Sequence, residues 1–202
     1  MDKIFVVTIG RKYGSGGRFI GQKLAEKLNV PFYDNELLLK ASEASGLSKN
    51  IMESYDEKVD GIFSGIFPST YIPEASLGSR VFIAQFETIK KLASDHSCVI
   101  VGRCADYILR DHKNVVNVFI TAPDDYCVKL ACKYYGLEEK KVLDSIKKMN
   151  KKRANYYSFY TDKKWGSASS YDLCIDSSVG IDTVVNTIEA YLKGKLENEE
   201  GN

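Results

Sequence analysis

The stretch KIFVVTIGRKYGSGGRFIG, residues Lys3 to Gly21, decides how the rest of the chain is read. Lys3 to Ile9 is a continuous β-branched and aromatic run, the pattern of a strand covered on both faces of a parallel sheet. Gly10 to Gly17 then carries four glycines, and beyond it Ile20, Leu24 and Leu28 recur at helical spacing. The order strand, glycine-rich loop, amphipathic helix is one half of a βαβ unit.

Working outward, the same alternation continues. Pro31 to Tyr33 reads as a second strand, with Asp34 placed to cap a helix through Leu37, Leu38 and Ala41, and a further helix is predicted over Ser48 to Lys58. Asp60 to Ser79 holds Gly61, Gly65, Gly78, Pro68, Pro73 and several serines, which predicts a mobile excursion of functional kind. Val81 to Ala93 is helical by period, Cys98 to Val101 is a buried strand ending at Gly102-Arg103, and Val115 to Ile120 is another strand. Pro123 to Tyr135 and the basic segment Glu138 to Arg153 read as helices. Asp172 to Asp176 is a last strand, Ile181 to Leu192 a closing amphipathic helix, and 196–202 a polar tail that frays. Five short strands alternating with helices predict a three-layer α/β fold with a mostly parallel sheet and a ligand at the strands' carboxyl ends.

Composition bounds the function. At 202 residues and 44% hydrophobic content the chain suits one domain, taken as 1–195. Lys plus Arg (28) against Asp plus Glu (27) leaves a net charge of +1, so no whole-molecule field draws it onto nucleic acid or an anionic membrane. Five cysteines without a C-x-x-C pair argue against disulfides or structural zinc, and His96 and His112 lack a metal-ligand companion. No apolar run is long enough for a signal region or membrane span, so the expected setting is cytoplasmic.

The glycine loop is the first chemical signal. Its glycines let backbone N–H groups converge on anionic oxygens, and the helix behind adds its N-terminal partial charge. Against the regular P-loop pattern G-x-x-x-x-G-K-[ST], Arg11 stands at the first glycine, Gly16 at the second, Gly17 at the lysine and Arg18 at the hydroxyl residue. The cation must therefore come from Arg11, Lys12 or Arg18, with Arg18 favoured because its fork suits phosphate, and Ser15 is the loop's one hydroxyl. A dinucleotide site, suggested by Gly14-x-Gly16 and Asp34, is weakened by Phe19 at the third glycine position.

The blocks Arg11 to Gly21, Tyr33-Asp34, Val101-Gly102-Arg103-x-x-Asp106, Arg153 to Thr161, Trp165-Gly166 and Tyr171 to Leu173 resemble, taken together, the cytidylate kinase-like family of P-loop proteins. The resemblance implies a P-loop kinase fold with a helical lid over about 147–166, and phosphoryl transfer from ATP, with Mg²⁺, to a nucleotide acceptor such as CMP or dCMP. By position it implies that Arg11, Lys12, Gly14, Ser15, Gly16, Gly17 and Arg18 hold the donor phosphates. Asp34, Lys40, Arg103 and Asp106 would face the acceptor, and Arg18, Arg103 and Arg153 would act on the transferring group. Lys40 stands where cytidylate kinases have an arginine, and the lid stretch Lys147 to Arg153 (KKMNKKR) has four lysines and Asn150 where they have several arginines and an aspartate. Asp172 and Asp176 are expected to cap loops rather than bind metal, and the aromatics Tyr156 to Tyr160 to pack. Exposed Phe63, Phe67 and Tyr71 in the 60–79 excursion allow a homodimer. The competing reading is a catalytically weak nucleotide-binding sensor.

Overall fold

A computed structural model describes residues 3–34, 77–135 and 139–198. Its elements are β1 (Val6–Arg11), α1 (Gly17–Leu28), β2 (Phe32–Tyr33), α2 (Leu77–Asp95), β3 (Cys98–Val101), α3 (Ala105–Ile108), β4 (Val115–Thr121), α4 (Asp124–Tyr135), α5 (Glu139–Thr161), β5 (Leu173–Asp176) and α6 (Ile181–Asn198). The five strands form one sheet in the order β2-β3-β1-β4-β5, and every pairing is parallel. β1 lies at the centre, so whatever follows it emerges in the middle of the carboxyl-end crevice.

Strand alternation divides the core in two. Val7, Ile9, Val99, Val101, Val116, Val118 and Ile120 pack with Ile20 and Leu24 of α1 and with Val184, Ile188 and Leu192 of α6. From the opposite face Val6, Cys98, Ile100 and Val115 meet Ile89 and Ala93 of α2 and Ile108 of α3. Both faces are therefore dry, which is why these strands read as unbroken apolar runs. A third cluster joins α4 to α5 through Cys127, Ala131, Val142 and Ile146, with Tyr13 packed against its edge.

The structure moves several predicted boundaries. β1 begins at Val6 and runs through Arg11, because β4 continues beside it and pairs Gly10 with Phe119 and Arg11 with Ile120. The first two residues of the expected loop are thus strand. Residues 77–79 belong to α2, so the excursion expected over 60–79 stops short of Leu77; its remainder, with the helices expected after Asp34 and over 48–58, lies outside the described residues. α5 continues past Arg153 to Thr161, since Tyr157 and Thr161 on its last turns are buried. α6 likewise runs to Asn198, and Leu196, assigned to a fraying tail, is buried in the α1–α6 core. Asp176 caps as expected, accepting the Ser178 N–H at 2.8 Å, whereas Asp172 caps no loop and instead accepts the N–H of Asn117, inside β4, at 2.7 Å.

Candidate functional site

The site is built on the turn between β1 and α1. Gly14 and Gly16 have φ of 81° and 75°, left-handed conformations in which a side chain costs energy. At Gly14 a Cβ would also stand 2.6 Å from the Cys127 carbonyl oxygen. This turn closes on itself through Ser15, whose fully buried hydroxyl donates to the Lys12 carbonyl at 2.9 Å. From the far edge of the sheet, Ser177 donates to the Ser15 carbonyl at 2.7 Å and lies 3.1 Å from the Thr121 carbonyl, tying the loop to the ends of β4 and β5.

Gly16 caps α1 without a side-chain hydrogen bond. Among the described residues no hydrogen bond takes up the N–H groups of Gly16, Gly17 or Arg18. They are the orphan donors of a helix N-terminus and carry its partial positive charge, which together suit an anionic oxygen. The Tyr13 N–H is different: it donates to Asn150 Oδ1 at 2.7 Å. One turn along α5, Arg153 Nη1 donates to the Arg11 carbonyl at 2.9 Å, and its guanidinium lies 5.5 Å from the centre of the Tyr13 ring. α5 thus holds the loop's entry from above.

A second turn faces the first. After β3, Gly102, Arg103 and Cys104 all have positive φ, at 82°, 60° and 55°, two of them unfavourable for their residue types. Beyond this tight reversal the Arg103 guanidinium lies 6.0 Å from the Tyr156 ring centre. Tyr156 donates in turn to Gln85 Oε1 at 3.2 Å.

The predicted site residues therefore separate. Arg153 meets the glycine turn's entry through the Arg11 carbonyl, and the Arg11 side chain runs from beside Gly17 to Gly102, next to Arg103. Arg18 turns along α1, where its Nε donates to Asp34 at 2.6 Å and its Nη1 to Gln22 at 3.3 Å. Asp34 thus engages Arg18 directly. Lys12 reaches the other way, to the Ala122 carbonyl at 3.0 Å and Asp124 at 3.1 Å, beside the start of α4. Asp106 points inward and accepts the Tyr157 hydroxyl at 2.6 Å. Burial raises its pKa above the ordinary aspartate value, against the lowering effect of Tyr157, neighbouring backbone N–H groups and Lys163. Burial and the Asp106 bond push the Tyr157 phenol up as well. Lys40 lies outside the described residues.

Sequence reasoning missed the contacts that Asn150 and Ser177 make with the turn. Asn150 was visible as the one uncharged polar residue of the KKMNKKR stretch, whereas nothing local distinguishes Ser177. Among the described residues no group of three or more His, Cys, Asp or Glu side chains is arranged to hold a metal. Position 18 lacks the hydroxyl of a regular P-loop, and Ser15, the turn's one hydroxyl, is fully buried.

Together the all-parallel 2-3-1-4-5 sheet, the glycine turn after its central strand and the arginine-bearing turn after β3 define a P-loop kinase fold. The sequence pattern of the cytidylate kinase-like family matches residues 6–179, and the chain belongs to that family. It is similar to an uncharacterized protein from Eubacterium ventriosum ATCC 27560, at 34% identity over 94% of this chain and 98% of that one, with a TM-score of 0.72. The fold is shared with the shikimate kinase of Bacteroides thetaiotaomicron, at 15% identity over 95% and 99% of the two chains and a TM-score of 0.57. It is shared also with a gluconokinase from Sinorhizobium meliloti 1021, at 15% identity over 97% and 95% and a TM-score of 0.56. No curated protein matches the chain. Among the described residues no helix is long and apolar enough to cross a membrane.

Proposed function

We propose that the protein transfers the γ-phosphoryl group of ATP to a nucleoside monophosphate, CMP or dCMP first. In that step an acceptor phosphate oxygen forms the new bond to the γ-phosphorus, the bond to the β–γ bridging oxygen breaks, and ADP leaves. Little covalent work falls to the protein; it positions the partners and matches the charge spread over the phosphoryl oxygens. The observation that carries the reading is the N-terminus of α1, where the Gly16, Gly17 and Arg18 N–H groups form an anion cradle at the carboxyl end of the central strand. Family membership supports nucleotide chemistry there.

In this reading Arg103 binds the acceptor's phosphate from the turn after β3, and Arg153, on the lid part of α5, covers the loop and helps exclude water. In this reading Mg²⁺ enters with the nucleotide, on its phosphates. The proposed setting is the cytoplasm, consistent with five free cysteines. A second reading, a nucleotide sensor of low activity, is favoured by Gly17 and Arg18 standing where a regular P-loop has its lysine and hydroxyl residue and by Asn150 occupying the Tyr13 N–H.

A coupled ADP-release assay with ATP, Mg²⁺ and a panel of CMP, dCMP, UMP, AMP, shikimate and gluconate separates the readings. CMP- or dCMP-dependent turnover is expected. Turnover only with a sugar acid or cyclic alcohol would move the acceptor class, and ATP binding without acceptor-dependent turnover would establish the sensor. Thermal stabilisation by ATP, through mass action on the folded state, gives the binding arm.

A further inference from the structure

α2 packs on the sheet through a stripe at helical spacing, with Ile89 and Ala93 buried among Val6, Cys98 and Ile100 and Phe86 against the same cluster. Gln85 falls one turn before Ile89 on that stripe and is as fully buried. An amide there interrupts an apolar pattern, and a buried amide is destabilising unless its donors and acceptors are met. Gln85 Oε1 accepts the Tyr156 hydroxyl at 3.2 Å. No protein group accepts from Nε2, which among the described residues is the one buried side-chain nitrogen or oxygen left so. Its level in the fold is set by the helix. α2 ends at Asp95 and β3 begins at Cys98, so α2 runs back along the sheet and its earlier turns lie toward the strands' carboxyl ends. From Asp95 back to Gln85 is about 15 Å of helix, whereas β3 is about 13 Å long. The amide therefore stands level with the Gly102-Arg103 turn.

The groups around this amide match a flat, uncharged ring. Phe82, on the same face of α2, stacks on Tyr160 of α5 with ring centres 3.8 Å apart and planes 9° from parallel, and Tyr160 meets Tyr156 at 4.8 Å. Beyond Tyr156 lies the Arg103 guanidinium. α2 and α5 thus meet through aromatic rings, with a neutral donor among them and a cation at the edge. A phosphate suits the cation and is penalised beside the neutral, apolar part, whereas a ring carrying a carbonyl oxygen finds both stacking faces and an N–H there. We propose that Gln85 selects the base of the acceptor nucleotide, its Nε2 donating to a ring carbonyl oxygen, the 2-carbonyl of a pyrimidine. Tyr156, by donating to Oε1, holds the amide so that the nitrogen is the end offered. Adenine has no carbonyl to accept this bond and is disfavoured, because it leaves the buried donor unmet. This inference rests on the nucleoside monophosphate reading above and names the residue that chooses the base.

The test is isothermal titration of the full chain, wild type and Gln85→Leu, with CMP, UMP, AMP and ribose 5-phosphate, which keeps the phosphate and sugar and lacks the base. Wild type is expected to bind CMP and UMP more tightly than AMP or ribose 5-phosphate. Gln85→Leu should lose roughly ten- to a hundredfold in affinity for CMP and UMP, with AMP and ribose 5-phosphate within twofold of wild type. That selective loss is what a merely structural amide would not produce. Should Gln85→Leu fail to fold, Gln85→Met, uncharged and of the same length, takes its place with the same expectation. CMP affinity within twofold of wild type in the folded variant overturns the proposal and leaves the kinase reading standing. An equal loss for all four ligands does the same, since it makes Gln85 a packing residue. A wild-type protein that binds no nucleoside monophosphate overturns both.

Discussion

Asn150→Ala is the substitution that most directly tests whether α5 governs the phosphate loop. The Tyr13 N–H donates to Asn150 Oδ1 at 2.7 Å in a half-buried setting, so truncation leaves a backbone donor with no protein acceptor. Such a loss costs about 1–2 kcal/mol. For a chain of this size each kcal/mol moves the melting temperature by about 2–4 °C, so a fall of about 2–8 °C is expected. Asn150→Asp separates the hydrogen bond from the charge: a carboxylate still accepts from Tyr13, so stability should stay near wild type, while the added negative charge beside the loop should weaken ATP binding severalfold. Differential scanning calorimetry reads the first effect and titration with ATP the second. If Asn150→Ala melts within about 1 °C of wild type, where even a minimal loss should show, the contact does not hold the loop and the argument for α5 as its clamp fails. If Asn150→Asp binds ATP as well as wild type does, position 150 does not lie close enough to the bound phosphates for its charge to be felt.

Two glycines give opposite expectations. Gly14→Ala places a methyl against the Cys127 backbone at φ 81°, which should cost at least about 2 kcal/mol from left-handed strain and displacement of the loop. Gly194→Ala, inside α6 with nothing within 4 Å of the new atom, should add about 0.5–1 kcal/mol; chemical denaturation of both against wild type checks the pair. At Asp106 the folded pKa lies above the ordinary 3.8, so the stability linked to this carboxyl is fully present below 3.8 and lost as pH rises through the folded value. Asp106→Asn removes that dependence, and urea melts across pH 3 to 7 should show wild type gaining on the variant as pH falls; parallel curves would refute it.

The inner strands were legible because both of their faces are buried: Cys98 to Val101 is apolar at every position and appears in the structure with those bounds. The boundaries that moved were set by partners distant in sequence. β1 gains Gly10 and Arg11 from pairing with β4, and α6 keeps Leu196 because α1 covers it. The glycine turn and the Gly102-Arg103 turn could likewise be placed from local signals, since a glycine after a strand advertises a reversal. The partners of the turn could not. Asn150 meets Tyr13, and Ser177 meets Ser15, through contacts that no local pattern encodes.

What residue order by itself determined is the alternation of strand and helix, the anion-binding turn and its departure from the regular P-loop at Arg11, Gly17 and Arg18, because periodicity and glycine placement act over a few neighbouring residues. Which way Arg11 and Arg18 turn was decided only by tertiary structure. Arg18 looked better by type, yet Asp34 and Gln22 draw it along the outside of α1, while Gly17 and Gly102, far apart in the chain, leave the volume through which Arg11 crosses. A side chain's direction depends on which neighbours pair with it and which leave it room, and those neighbours are brought together only by the sheet.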